Sequence, residues 1–194
     1  VLEHLDAREA VLVGHSMGGM AAQAFAVRHK EILADRVGAL VLVGTTATGV
    51  AAPGLESLGP ALLRSRGCTR VMRSSAVGPF LVRHTVGQHA VWDHLAVTAE
   101  LVAATPPDVR ADFFTAMAAL DLTADLPGVT VPTFVVSGTK DRLLPHPLSN
   151  RIANLIPGAR LVALDGAGHQ LMFEQPDRVA EVIVEAAERR SQLA

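Results

Sequence analysis

The chain has 194 residues, 49% apolar and 19% charged, with Lys+Arg 17 against Asp+Glu 19 and a formal net charge of −2. That composition excludes a disordered or collagen-like chain and supplies enough apolar material for one domain with a sizeable core. There is no basic block for nucleic acid or an anionic membrane, the longest aliphatic run (37–44) is far short of the ~20 residues that span a bilayer, and the single cysteine, Cys68, cannot close an intramolecular disulfide. No membrane span and no nucleic-acid partner are expected, and any partner is expected to be small and uncharged. Glu3, Asp6, Arg8 and Glu9 follow Val1, which is not the pattern of a signal peptide, so a cytoplasmic location is expected. Val1 in place of Met is compatible with an upstream segment that carries an address and part of the site.

In chain order, the first aliphatic run (10–13) predicts a strand, followed by a helical stretch over 17–30. Further strands are predicted at 39–43, 133–136 and 160–164. All four runs are nearly continuous in Val, Leu, Ala and Phe rather than alternating, the pattern of strands buried on both faces of a parallel sheet. A helix is read at about 147–156. Another follows Glu174, where Val179, Val182, Ile183, Ala186 and Ala187 form an i, i+3, i+4, i+7, i+8 stripe and Pro176 and Asp177 suit the first turn. Strand and helix alternation predicts an α/β fold with right-handed crossovers.

The second and third strands are too far apart for one crossover. The intervening chain opens with a Gly/Pro-rich stretch (49–60) and carries Phe80, Trp92, Phe113, Phe114 and Met117 among many Ala, Val and Leu. It reads as a mainly helical insertion. Inserted segments of this length are often lids, and an apolar underside would suit an apolar substrate. The competing reading is that these aromatics simply hold the insertion together. The organisation is therefore one domain: core 1–48, a cap or lid insertion 49–126, and core 127–194.

The sharpest motif is VLVGHSMGG at 11–19, where a buried strand runs into Gly14-His15-Ser16-Met17-Gly18 and then a helix. This is a G-x-S-x-G nucleophile elbow in its strand-turn-helix context. A tight turn presses the positions on either side of the serine together, which predicts that only glycine fits at 14 and 18. It also lifts the Ser16 hydroxyl above the sheet edge and aims the Met17 N–H at a developing oxyanion. A serine needs a base, and the base an orienting carboxylate. The strand in VPTFVVSGTKD ends at Asp141 and the strand in ARLVALDGAGH at His169, so Ser16, Asp141 and His169 follow in order, each beyond a strand. Each has an ordinary competitor: Ser16 and Asp141 as turn residues, His169 as a loop histidine, and Asp165 as a rival acid. Asp165 shares the loop of His169 and is poorly placed to face its imidazole, which favours Asp141.

GHSMGG, VVSGTKDRLLP and IPGARLVALDGAGHQLMFEQPDRV together resemble the C-terminal part of an α/β-hydrolase superfamily serine hydrolase, esterase- or lipase-like. The resemblance implies an α/β-hydrolase fold: a mostly parallel sheet flanked by helices, with a helical cap. It implies Ser16 as nucleophile, His169 as general base and then acid, Asp141 as its orienter and Met17 as a backbone oxyanion donor, with no cofactor and no metal. It implies a small-molecule ester or acyl substrate, without choosing between esters, lactones, carbon-carbon bonds, perhydrolysis and acyl transfer. His84, His89 and His94, spaced by five, would be rotated roughly 140° apart on a helix and do not predict a metal site. His15 is expected to pack or bond beside the site, and Cys68 to be an ordinary thiol. GxGxxG and GxxxxGK are both absent, against a nucleotide-binding reading.

The chain departs from the family pattern at its N-terminal side, where the first strands are missing along with the loop that brings a second oxyanion N–H. Losing one oxyanion donor costs ~10²–10³ in rate. The first strand of this chain would then have one unpaired, apolar edge, to be completed by a homodimer or a missing N-terminal segment. The alternative function is a non-catalytic truncated remnant or interaction module that keeps the triad letters.

Overall fold

The protein is described as a computed structural model covering residues 1–49 and 55–190. In chain order its elements are β1 Ala10–His15, α1 Met17–Arg28, α2 Lys30–Arg36, β2 Val37–Val43, α3 Leu55–Arg64, α4 Arg66–Met72, α5 Val77–Val82, α6 Trp92–Ala104, α7 Pro107–Ala118, β3 Thr133–Gly138, α8 His146–Leu155, β4 Arg160–Leu164, α9 Leu171–Glu174 and α10 Pro176–Arg190. The four strands form one sheet in the order β1-β2-β3-β4. All neighbours are parallel, with Val13 opposite Val41, Val43 opposite Val136 and Gly138 opposite Leu164.

The doubly buried character of the strands shows in how β2 divides its side chains. Leu40 and Leu42 join α1, α2 and α8 through Ala22, Ala26, Leu33 and Ile152. Ala39, Val41 and Val43 face the other way, onto Leu171 of α9 and Val179, Val182 and Ala186 of α10. Helices therefore cover both faces of a parallel sheet, the arrangement that the α/β-hydrolase resemblance implies. The helix expected over 17–30 is α1, which ends at Arg28, and a further helix, α2, follows it directly. His29, at φ −125 and ψ 54, accepts from Leu33 and donates to Phe25, and this one non-helical residue redirects the chain so that Leu33 enters the core.

Helices α3 to α7 make up the inserted segment. Its two ends meet where Thr48 pairs with Asp121 and Leu122 N–H bonds the Ala47 carbonyl, so the chain leaves and re-enters the sheet at one place. Of the Gly/Pro-rich stretch 49–60, residues 50–54 lie outside the described residues. α3 packs on α7, and α4 and α5 pack on α6. A small aliphatic core of Val82, Leu95 and Ala99 lies within it. Phe80, Trp92 and Phe113 are exposed, so these three do not hold the insertion together.

Candidate active site

Ser16 sits between the last residue of β1 and the first of α1, at φ 52 and ψ −118. An L residue held in the left-handed region is strained by about 1–3 kcal/mol, and its surroundings have to impose it. Here the Ser16 N–H donates to the Val43 carbonyl (2.9 Å) and the Ser16 carbonyl accepts from Thr45 Oγ1 (2.8 Å). A Cβ on Gly14 would lie 2.5 Å from the Gly18 carbonyl oxygen, so glycine is required there. The expectation for Gly18 is corrected: a Cβ at that position meets nothing within 4 Å. The second crowded position is Gly19, where a Cβ would lie 2.6 Å from Cβ of Thr45. The turn closes by pressing the backbone of 18 against 14, while the Cα hydrogens of Gly18 face outward.

The loops after β3 and β4 bring Asp141 and His169 to this turn. His169 Nε2 lies 2.9 Å from Ser16 Oγ, and His169 Nδ1 lies 2.9 Å from Asp141 Oδ2. A carboxylate can only accept, so Nδ1 carries the proton and Nε2 is left to accept from the hydroxyl. Asp141 is in turn fixed by the Leu143 and Leu144 N–H groups, which donate to Oδ1 at 2.9 and 2.8 Å. Both side chains are out of solvent, at 3% and 0% exposure for His169 and Asp141. The rival Asp165 is turned away: its Oδ1 accepts from Thr139 Oγ1 at 3.0 Å. Met17 begins α1, so its N–H is one of the amides with no intrahelical acceptor.

His15 bonds beside the site as expected, its Nε2–H donating to the His169 carbonyl (2.8 Å) with the two rings 4.8 Å apart. Burial, and then the neighbouring His169, lower its pKa to about 4, so it is neutral at pH 7 and adds no charge beside Ser16.

One residue that the sequence reading passed over is Glu174. It is only 7% exposed, and its carboxylate accepts from the Gly168 N–H (2.9 Å) through Oε1 and from the Gly87 N–H (2.7 Å) through Oε2. It thus ties the histidine loop to the inserted segment, where the His169 N–H also donates to the Thr85 carbonyl (2.7 Å) and the Gln88 N–H to the Gly166 carbonyl (2.8 Å). The available signal was a lone acidic residue in LMFEQP, at the end of a short apolar run beside the histidine.

The remaining candidates lie apart from the site. His84 bonds the Leu81 carbonyl, His89 the Asp165 carbonyl, and His94 stacks on Phe173. Among the described residues no three His, Cys, Asp or Glu side chains are grouped to hold a metal ion, and no helix is long and apolar enough to cross a membrane. Cys68 lies in α4, its N–H donating to Ser65 Oγ.

A model of the alpha/beta hydrolase family matches residues 1–182. The chain belongs to that family. A 2-hydroxymuconate semialdehyde hydrolase from Pseudomonas putida is 30% identical over 190 residues, covering 94% of this chain and 64% of the relative. A thermophilic esterase from Thermogutta terrifontis superposes with a TM-score of 0.73 at 28% identity, over 97% of this chain and 68% of the esterase. A bromoperoxidase from Bacillus anthracis, at 16% identity, shows the fold alone: TM-score 0.82 over 96% of this chain and 70% of that one. This hydrolase-family chain thus spans less than two thirds of the length of the Pseudomonas relative.

Proposed function

We propose that the chain carries the catalytic triad of a serine hydrolase that cleaves a carboxylic ester or a related acyl substrate through an acyl-enzyme. The observation that carries this reading is the hydrogen-bond chain Ser16–His169–Asp141, set on a strained elbow. Ser16 Oγ attacks the carbonyl carbon as His169 Nε2 takes its proton, and the imidazolium that forms is stabilised by Asp141. The Met17 N–H faces the oxyanion. His169 then protonates the leaving alcohol, takes a proton from the water that attacks the acyl-Ser16 carbonyl, and returns it to Ser16 Oγ as the Oγ–acyl bond breaks and the acid leaves. The relatives are named as an esterase and as a 2-hydroxymuconate semialdehyde hydrolase, and one fold can host more than one such reaction. Residues 49–126 act in this reading as a cap over the substrate, and 1–48 with 127–194 as the core.

Fluorophosphonate labelling of the purified chain, mapped by peptide mass beside Ser16→Ala, tests the proposal. Label on the Ser16 peptide, lost in the variant, is the expected result. A folded chain that takes no label overturns it for these 194 residues and favours the non-catalytic reading.

A further inference from the structure

The described residues hold a concave feature whose wall includes no residue of the elbow. A cavity of about 810 Å³ opens between the inserted segment and the loop after β3, and Ser16, Met17 and His169 take no part in its wall. Its volume lies in the ~300–1,000 Å³ range of small-molecule sites. The wall has two kinds of side chain. Arg83, Lys140 and Arg142 line it, with His84, and no Asp or Glu does. In a chain with 19 acidic residues against 17 basic ones, that segregation makes a local positive potential which the net charge conceals. Arg8, Arg36, Arg64 and Arg160 each find a carboxylate, while Arg83, Lys140 and Arg142, like Arg66, Arg70 and Arg73, are in no ion pair among the described residues; what sets the cavity's three apart is the pair of exposed rings in the same wall. The second component is aromatic: Phe80 at 63% exposure and Trp92 at 55% line the same cavity, leaving rings in water that an apolar body would cover.

We propose that this cavity binds an amphipathic organic anion, an aromatic or acyl body bearing one carboxylate, with the carboxylate at Arg83, Lys140 and Arg142 and the body against Phe80 and Trp92. A guanidinium supplies the paired N–H donors that a carboxylate accepts in two parallel bonds, and flat rings beside it cover the body. The position connects it to the site already described without overlapping it. Lys140 and Arg142 turn to the cavity while Asp141 between them turns inward to His169. Residues 86–88 form part of the wall and also make the seam with the histidine loop. The inference does not depend on the catalytic reading.

Trp92 is the chain's only tryptophan, so its emission reports on this cavity alone. The purified chain, excited at about 295 nm, where phenyl groups are transparent and tryptophan is the absorbing side chain, would be titrated with 3-phenylpropanoate and with its uncharged counterpart 3-phenylpropanamide. Saturable change with the carboxylate is expected, at least about tenfold tighter than with the amide, since one lost charge-assisted contact is worth roughly that factor. The Arg83→Ala/Arg142→Ala double variant, altered only at exposed side chains, should bind the carboxylate about tenfold or more weakly, with circular dichroism unchanged. Equal affinity for carboxylate and amide overturns the proposal, as does no saturable change with the carboxylate. Carboxylate binding unaltered in the folded double variant overturns it as well.

Discussion

At the scale of single residues, the hydrogen-bond chain from Ser16 through His169 to Asp141 depends on groups outside it. Asp141 is useful because one oxygen is already held by two backbone amides, which leaves the other directed at His169. His15 supports the same imidazole from its backbone side and must remain neutral to do so without repelling it. The folded ring has a pKa of about 4 against an ordinary 6.5. Both states are unprotonated above about pH 6.5, and there the stability contribution is complete. As pH falls towards 4 the unfolded chain takes up a proton that the folded ring refuses, so stability drops across that window. Urea midpoints should therefore be lower at pH 5 than at pH 7.5, and His15→Gln, which keeps an N–H donor but cannot titrate, should narrow the gap. An equal drop in both proteins would show that the acid sensitivity lies elsewhere.

At the scale of elements, two junctions decide whether the site assembles. The β1–α1 turn tolerates a side chain very unequally along its length. Gly14→Ala puts a methyl group into the Gly18 carbonyl and should cost about 1–3 kcal/mol or more, abolishing fluorophosphonate labelling. Gly18→Ala meets open space inside a helix and should be neutral or stabilising by up to about 1 kcal/mol. Thermal unfolding and labelling of the two variants side by side would check this, and comparable damage from both would contradict the geometry. The second junction is the seam at Glu174. Glu174→Ala strands two amide donors, at about 1–3 kcal/mol each for buried groups, and frees the histidine loop from the insertion. We expect a lower melting temperature and slower labelling of Ser16. Glu174→Gln, which can accept at only one of the two amides, should fall between wild type and alanine; a Gln variant as impaired as alanine would mean that both acceptors are needed together.

Across the whole molecule, β1 is the edge of the sheet and pairs only with β2 among the described residues. Val13 on that strand is 42% exposed. An apolar edge with free backbone groups is a template for another strand. Sedimentation velocity over the micromolar to millimolar range in which such edges associate should show self-association that Val13→Lys reduces. A monomer at every concentration would mean that the edge is not sticky in this chain. The same scale explains why a chain expected to favour uncharged partners has a cationic cavity: Arg83 lies in the inserted segment and Lys140 and Arg142 in the loop after β3. Folding gathers them in one wall, and net charge cannot register that.

What could be read from the chain by itself depended on short-range physics. Continuous aliphatic runs are buried strands, a glycine-flanked serine between strand and helix is a tight turn, and an acid and a histidine each follow a strand. These are properties of a few adjacent residues, and so the four strands, the elbow and the order Ser16, Asp141, His169 were legible. The short helix α2 was not, because among its seven residues only Leu33 is buried and one apolar contact makes no periodic pattern. Tertiary structure alone decided the rest. It chose between Asp141 and Asp165 by the face each presents to the imidazole. It moved the second steric demand of the elbow from Gly18 to Gly19, through Thr45 on another strand's exit loop. It made Glu174 the clasp between the histidine loop and the insertion. Each of these outcomes depends on which distant backbone lies within a hydrogen bond or a van der Waals radius, a quantity that no local pattern encodes.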